Sequence, residues 1–154
     1  MGEKYLGRFG SMFGMDDPGQ VLPQIKRYVE DGRLEISEVM AVELVAKLQA
    51  EKKRELEVQN WLVEAARIAA EVLEQRGKFA QALAAAITLE KERRTLRSML
   101  AEQQPEAVTD LDLQAAEDYV IASRIAAQCG KLSKAVKFAK KAEKTVSGHL
   151  ASAI

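Results

Sequence analysis

Six lysines, Lys131, Lys134, Lys137, Lys140, Lys141 and Lys144, fall within fourteen residues, with Glu143 the one acid among them. On a helix, Lys134, Lys137, Lys140, Lys141 and Lys144 occupy about 120° of arc. Leu132, Ala135, Val136, Ala139, Ala142 and Val146 take the opposite side. Three kinds of chemistry fit such a face. It can be solvated; it can dock on acidic protein surface, a partner's or this chain's own 101–118; or it can contact nucleic-acid phosphates without reading sequence. Arg93, Arg94 and Arg97, with Lys91, close an earlier helix and are expected to share this surface. Phe138 is the one aromatic among the lysines and stands at the border of the apolar side, so base stacking has no support.

The residues for catalysis are sparse. His149 is the single histidine, whereas a triad, a zinc site or a di-iron bundle needs several partners. Cys129 is the single cysteine, which excludes an internal disulfide and fits a reducing, cytoplasmic setting. It precedes a turn glycine beside Lys131, where it reads as a packing residue or as a thiol of lowered pKa. Gly7, Gly10 and Gly14 have no phosphate-loop spacing. Glu51 and Glu55, at helical spacing, read as a solvated pair. The expectation is a protein without catalytic, metal or cofactor residues.

The elements that must position the lysines come from a text that occurs twice. Ala66-Arg67-Ile68-Ala69-Ala70 leads to Gly77-Lys78-Phe79, then Ala82-Leu83 and Glu90-Lys91; Ser123-Arg124-Ile125-Ala126-Ala127 leads to Gly130-Lys131-Leu132, then Ala135-Val136 and Glu143-Lys144. Each copy reads as a helix, a glycine turn and a second helix packed on the first. A duplicated helical hairpin makes a surface for another macromolecule more often than a reaction centre. The second copy, with Ala116-Glu117-Asp118-Tyr119, Ala122-Ser123, Gly130-Lys131-Leu132, Ala135-Val136 and Ala142, resembles a tetratricopeptide-type hairpin over about 30 residues. The copies stand 53 to 57 residues apart, against 34 in that family, and the closing proline is absent. The resemblance implies helical hairpins, and more loosely a tandem array with a concave peptide-binding face.

Composition agrees. The chain has 154 residues, 47% hydrophobic, 30% charged and 5% aromatic, with zero net charge, which suits one soluble all-α domain rich in small side chains. Its start lacks the apolar run of a signal peptide, and no stretch is long and apolar enough to span a membrane. All 24 alanines lie at position 41 or later, which separates an N-terminal piece from the repeat region. Within that piece, five glycines and three aromatics set apart an N-terminal arm, 1–20, from an all-helical domain, 21–154, with hairpins at about 56–99 and 109–147.

In the arm, Tyr5, Leu6, Phe9, Met12 and Phe13 share one helical face, but interspersed glycines weaken any isolated helix by about 1 kcal/mol each. The arm is expected to gain order by covering a surface, a neighbouring copy's or its own core's. Beyond it, a helix is predicted from Gln20 to Asp31 with Gly32 as its stop. Ser37 caps a second helix, read as one long element to Arg76 with a break near 49–55 as the alternative. Further helices run from Phe79 to about Met99, from a capping box at Thr109 to Cys129, and from Leu132 to Ser147 with Gly148 as C-cap. Trp61 is expected to be largely buried.

The resulting expectation is a non-enzymatic interaction protein, an adaptor or assembly chaperone that self-associates through the arm. The alternative is a structural subunit of a filament or virion, whose lysine face holds nucleic-acid phosphates.

Overall fold

The computed structural model describes residues 17–153, with side chains described to Gly148. The arm residues Tyr5, Leu6, Phe9, Met12 and Phe13, and the His149 side chain, lie outside the described residues. Helix makes up 87% of the described chain and no strand occurs in it.

Among the described residues six α-helices follow one another: α1 (Pro18–Glu30), α2 (Leu34–Gln49), α3 (Leu56–Gln75), α4 (Phe79–Gln103), α5 (Val108–Gln128) and α6 (Leu132–Ala153), with a 3-10 turn at Pro105–Ala107. Each packs on the next in sequence, and the first helices of successive hairpins also meet, α1 on α3 and α3 on α5. The fold is therefore a row of three hairpins, α1–α2, α3–α4 and α5–α6.

One local device makes all three. Gly32, Gly77 and Gly130 sit at φ 76, 75 and 75°, the left-handed conformation that glycine alone adopts without a Cβ penalty. At each turn the following N–H reaches back to a carbonyl five residues earlier: Arg33 to Tyr28 at 2.8 Å, Lys78 to Leu73 at 2.9 Å, Lys131 to Ala126 at 2.9 Å. This satisfies helix-end carbonyls that would otherwise be orphaned. Asp31-Gly32-Arg33-Leu34 is thus a third member of the pattern in Arg76-Gly77-Lys78-Phe79 and Cys129-Gly130-Lys131-Leu132.

Several boundaries differ from the sequence expectation. Helix α1 starts at Pro18, because the Asp17 carboxylate accepts from the Gly19 N–H at 2.9 Å and proline is preset for the first turn. Helix α2 begins directly after the Gly32 turn, so Ser37 is no cap; it is fully buried and donates to the Arg33 carbonyl at 2.7 Å. Thr109 lies inside α5 and Asp112 pairs with Arg97 instead of forming a capping box. Gly148 lies within α6, which continues to Ala153.

The long helix from 37 to 76 is two helices. Its apolar-poor stretch breaks at 50–55, where Arg54 stabilises the interruption. The guanidinium donates to the carbonyls of Leu48, Gln49 and Glu51 at 3.4, 3.3 and 3.4 Å.

The core has three apolar clusters. One lies within α1–α3 around Ile25, Leu44 and Leu62; a second joins α3–α6 around Leu83, Ile125 and Phe138; a third, with Leu89 and Leu96, lies under α4. Trp61 is half-buried against the first cluster and not enclosed by it. Its ring lies so close to Gly19 that a Cβ there would stand 3.2 Å from it, so a larger residue at this position would require the Trp61 ring to give by a few tenths of an ångström. No helix of the described residues is long and apolar enough to cross a membrane.

Candidate docking groove and its charged surroundings

Helices α2 and α4 flank α3, and the space above α3 between them is a groove of about 370 Å³. It stays open because the facing side chains are small. Ala66 and Ala69 form the floor, Ala84 and Ala85 one wall, and Val42 and Val45 the other. Val42 is 45% exposed there.

The same position one hairpin later is filled. Counted from the turn glycines, Ala66 corresponds to Tyr119, Ala85 to Phe138, Thr88 to Lys141, and Val45 to Glu90. Tyr119 and Phe138 stack with ring centroids 6.4 Å apart. Lys141 lies over both rings, at 5.6 and 5.8 Å, and the Tyr119 hydroxyl donates to Glu90 at 3.4 Å. Burial and the neighbouring Glu90 carboxylate both push the Tyr119 phenol up. An aromatic pair closes the second groove, and alanines leave the first open.

Where Gln49 lines the groove, it also joins a polar hub centred on the buried Glu92. Glu92, 2% exposed, accepts from Gln49 at 3.1 Å, from Arg54 at 3.2 Å and from the fully buried Gln59 at 3.1 Å. Gln59 also donates to the Glu92 main-chain carbonyl at 2.8 Å. The hub ties α2, the 50–55 loop and α3 to α4. Nothing in residue spacing marks it, since the partners stand 33 to 43 residues apart.

The next residue, Arg93, serves the opposite side of α4. Both its Nε and its Nη2 donate to Asp118, the latter at 3.2 Å, and Nη1 donates to Gln114 at 2.7 Å. Arg93 is 6% exposed, so it forms no part of a basic surface. Burial pushes the Asp118 carboxyl above its usual range, against the pull of Arg93 and Arg67.

Arg97 is bound by Asp112 at 2.6 and 3.3 Å, and this hydrogen bond holds its guanidinium above the ordinary value. Arg94 is exposed and pairs with Glu90 at 3.1 Å. The arginines and the lysines therefore do not form one free basic face: Asp112, Glu117 and Asp118 are met by arginines, and among the described residues the lysines of α6 pair with none of the acids of 101–118. Lys131, Lys134, Lys137, Lys140 and Lys144 are exposed, and Lys141 is half-buried over its two rings.

Beside the lysines, α6 also exposes Leu132 at 68%, Val136 at 53% and Val146 at 42%. Among its described side chains, Ala135, Phe138 and Ala142 of the apolar side are buried. The face made by the first helices, in contrast, is crossed by ion pairs: Lys26–Glu64 at 3.1 Å, Arg67–Glu117 at 3.2 Å and Arg124–Glu74 at 2.6 Å.

Cys129 is half-buried and packs against the second apolar cluster. Among the described residues no group of histidine, cysteine and carboxylate side chains is arranged to hold a metal. Compared with family models, with curated proteins and with solved structures, the chain matches none.

Proposed function

We propose that this is a non-enzymatic, all-helical protein–protein interaction module, an adaptor or assembly chaperone that also associates with itself. The observation that carries this reading is the open groove between α2 and α4. Its lining, alanines, valines and Leu73 with Gln49, Gln81 and Thr88 among them, offers mostly apolar contact and no charge, the chemistry by which an amphipathic helix is held. The hub at Glu92 fixes the spacing of its walls, so the groove is preformed and a ligand need not organise it.

A second reading, a structural subunit that polymerises and holds nucleic-acid phosphates, is favoured by one specific feature. Helix α6 presents exposed Leu132 and Val136 next to exposed lysines that form no ion pair among the described residues. Light scattering over a range of protein concentrations, with and without nucleic acid, tests both. A mass limited to small oligomers and indifferent to nucleic acid supports the interaction module. Large assemblies whose growth depends on nucleic acid and falls with salt support the structural subunit. A monomer under every condition removes self-association from either.

A further inference from the structure

We infer that the groove between α2 and α4 is the seat of the N-terminal arm of a second copy of this chain. The inference rests on the self-association proposed above and gives it a site. The second groove shows what this architecture takes at that place: an aromatic pair, Tyr119 on Phe138. In the first groove the corresponding residues are Ala66 and Ala85, so the aromatic groups have to come from elsewhere.

The arm carries them. Tyr5, Phe9 and Phe13 are three of the chain's eight aromatics and recur every four residues. From Tyr5 to Phe13 a helix rises about 12 Å, and the groove floor and wall, from 66 to 73 and from 81 to 88, run about 10 Å. The lengths match. The groove offers no charge of its own, and the arm's apolar face, at positions 5, 6, 9, 12 and 13, carries none either.

Tether length decides which copy supplies the arm. Helix α1 is fixed against α3 where Gly19 meets Trp61. Ala66 stands about 140° round α3 and roughly 7 Å further along it, a surface path of about 15 Å on a helix some 11 Å across. Residues 14–17 join Phe13 to Pro18 and reach at most about 17 Å. The chain's own groove is therefore reached only with this linker drawn nearly straight, and Asp17 is already held as the α1 cap. A taut hinge of this kind favours exchange between copies.

The test uses the full chain labelled with fluorophenylalanine, with the Phe9 and Phe13 resonances assigned by Phe9→Leu and Phe13→Leu. Sedimentation equilibrium measures mass in parallel. Two variants close the groove: Ala85→Phe, which copies the second groove, and Val42→Glu, at an exposed wall position that cannot overpack the core. Circular dichroism confirms that each is folded. The expected result is a dimer or larger species whose dissociation constant rises at least about tenfold in both variants. The two arm resonances shift toward free phenylalanine at the same time. Self-association that neither variant weakens overturns the groove assignment while leaving the proposed function standing. Groove-dependent shifts in a protein that stays monomeric overturn the exchange in favour of the chain's own arm. A monomer with both resonances at the free position overturns the inference and the self-association together.

Discussion

Glu92 and Arg93 are neighbours on α4, both buried, and they secure opposite junctions of the row. On the side of α2 and α3, Glu92 is held by one arginine and two glutamines. On the side of α5, Arg93 meets Asp118 through two donors and Gln114 through a third. The first junction lies beside a large apolar cluster and keeps an open groove. The second is closed by Tyr119 and Phe138 and laced by further charge pairs, Arg97–Asp112, Arg67–Glu117 and Arg124–Glu74. At the second, charge pairs flank the aromatic pair and fix the register between hairpins. At the first, the hub at Glu92 and the pairs of Glu38 with Arg76 and Lys78 hold the helices beside the open groove, and the apolar lining is free for a ligand. The Glu92 carboxylate is shared among Arg54, Gln49 and Gln59, whereas the Asp118 carboxylate takes both of its hydrogen bonds from Arg93. That difference predicts unequal responses to losing a single partner.

The largest effect is expected at Arg93. Arg93→Leu leaves Asp118, 2% exposed, without its counter-charge, and breaking a buried pair from one side costs about 3–5 kcal/mol. Urea denaturation should record that loss, and adding Asp118→Leu should recover much of it. Glu92→Gln should cost less, about 1–3 kcal/mol. An amide oxygen still accepts one hydrogen bond, and the Gln59 bond to the main-chain carbonyl survives. Its signature is local: amide exchange across 50–55 should quicken, because Arg54 loses the anion that holds it in place. Equal losses for the two variants would break the comparison.

The hairpins were legible because their signals are local. A glycine followed by a basic and an apolar residue ends one helix and begins the next, and the repetition of Gly77 and Gly130 exposed two of the three. Gly32 carries the same motif, but its flanking helix lacks the repeated alanine text, so it reads only as a stop. Asp17-Pro18 was a readable cap that the glycine-rich context obscured. The break at 50–55 was harder. The residues there are good helix formers, and it is Arg54 satisfying three carbonyls, with Glu92 behind it, that favours the interruption. The candidate site was the least legible part. A groove is made by side chains that are absent, and its meaning came from the comparison of Ala66 and Ala85 with Tyr119 and Phe138. Arg93 and Arg97 looked basic in the sequence because the acids that neutralise them lie 15 to 25 residues away.

The two junctions should also separate in acid. At the first, Glu38 on α2 grips the α3–α4 turn through Arg76 at 2.8 Å and Lys78 at 2.9 Å. Burial raises its carboxyl, but the two cations outweigh this and hold it below the usual range. A lowered folded-state value means stability that is present above the unfolded pKa of about 4.3 and is lost as pH falls through the folded value. At the second, the Asp118 value is raised. Its contribution has the opposite sign: full below about 3.9 and lost as pH rises through the folded value. Glu38→Gln should therefore lower stability near pH 7 by about 0.5–1 kcal/mol, given partly exposed partners, with the gap closing below about pH 4. For Asp118→Asn, the wild type's advantage should be largest in acid and shrink as pH rises. Melting curves from about pH 3 to 7 read both slopes, and slopes of the same sign would remove the distinction.

The smallest effect on stability belongs to the lysines of α6, and its smallness is informative. Lys134, Lys137, Lys140 and Lys144 are exposed and take part in none of the ion pairs that hold the row together, whereas Arg97, equally charged, is tied to Asp112. Replacing each of the four by glutamine removes no buried contact and should change stability by less than about 0.5 kcal/mol. Arg97→Gln should cost more than any one of them, since it removes the two charge-assisted hydrogen bonds that tie α4 to Asp112 of α5. Binding is where the lysines should register. If the face serves the structural-subunit reading, neutralising all four lowers affinity for an arbitrary nucleic acid and flattens its salt dependence by close to one counterion per phosphate contact removed. If the face is only solvated, weak nucleic-acid binding and its salt slope stay as they are in the unmodified chain. A stability loss comparable to that of Arg93→Leu would mean that the lysines hold α6 in place, and the division between paired arginines and free lysines would fall.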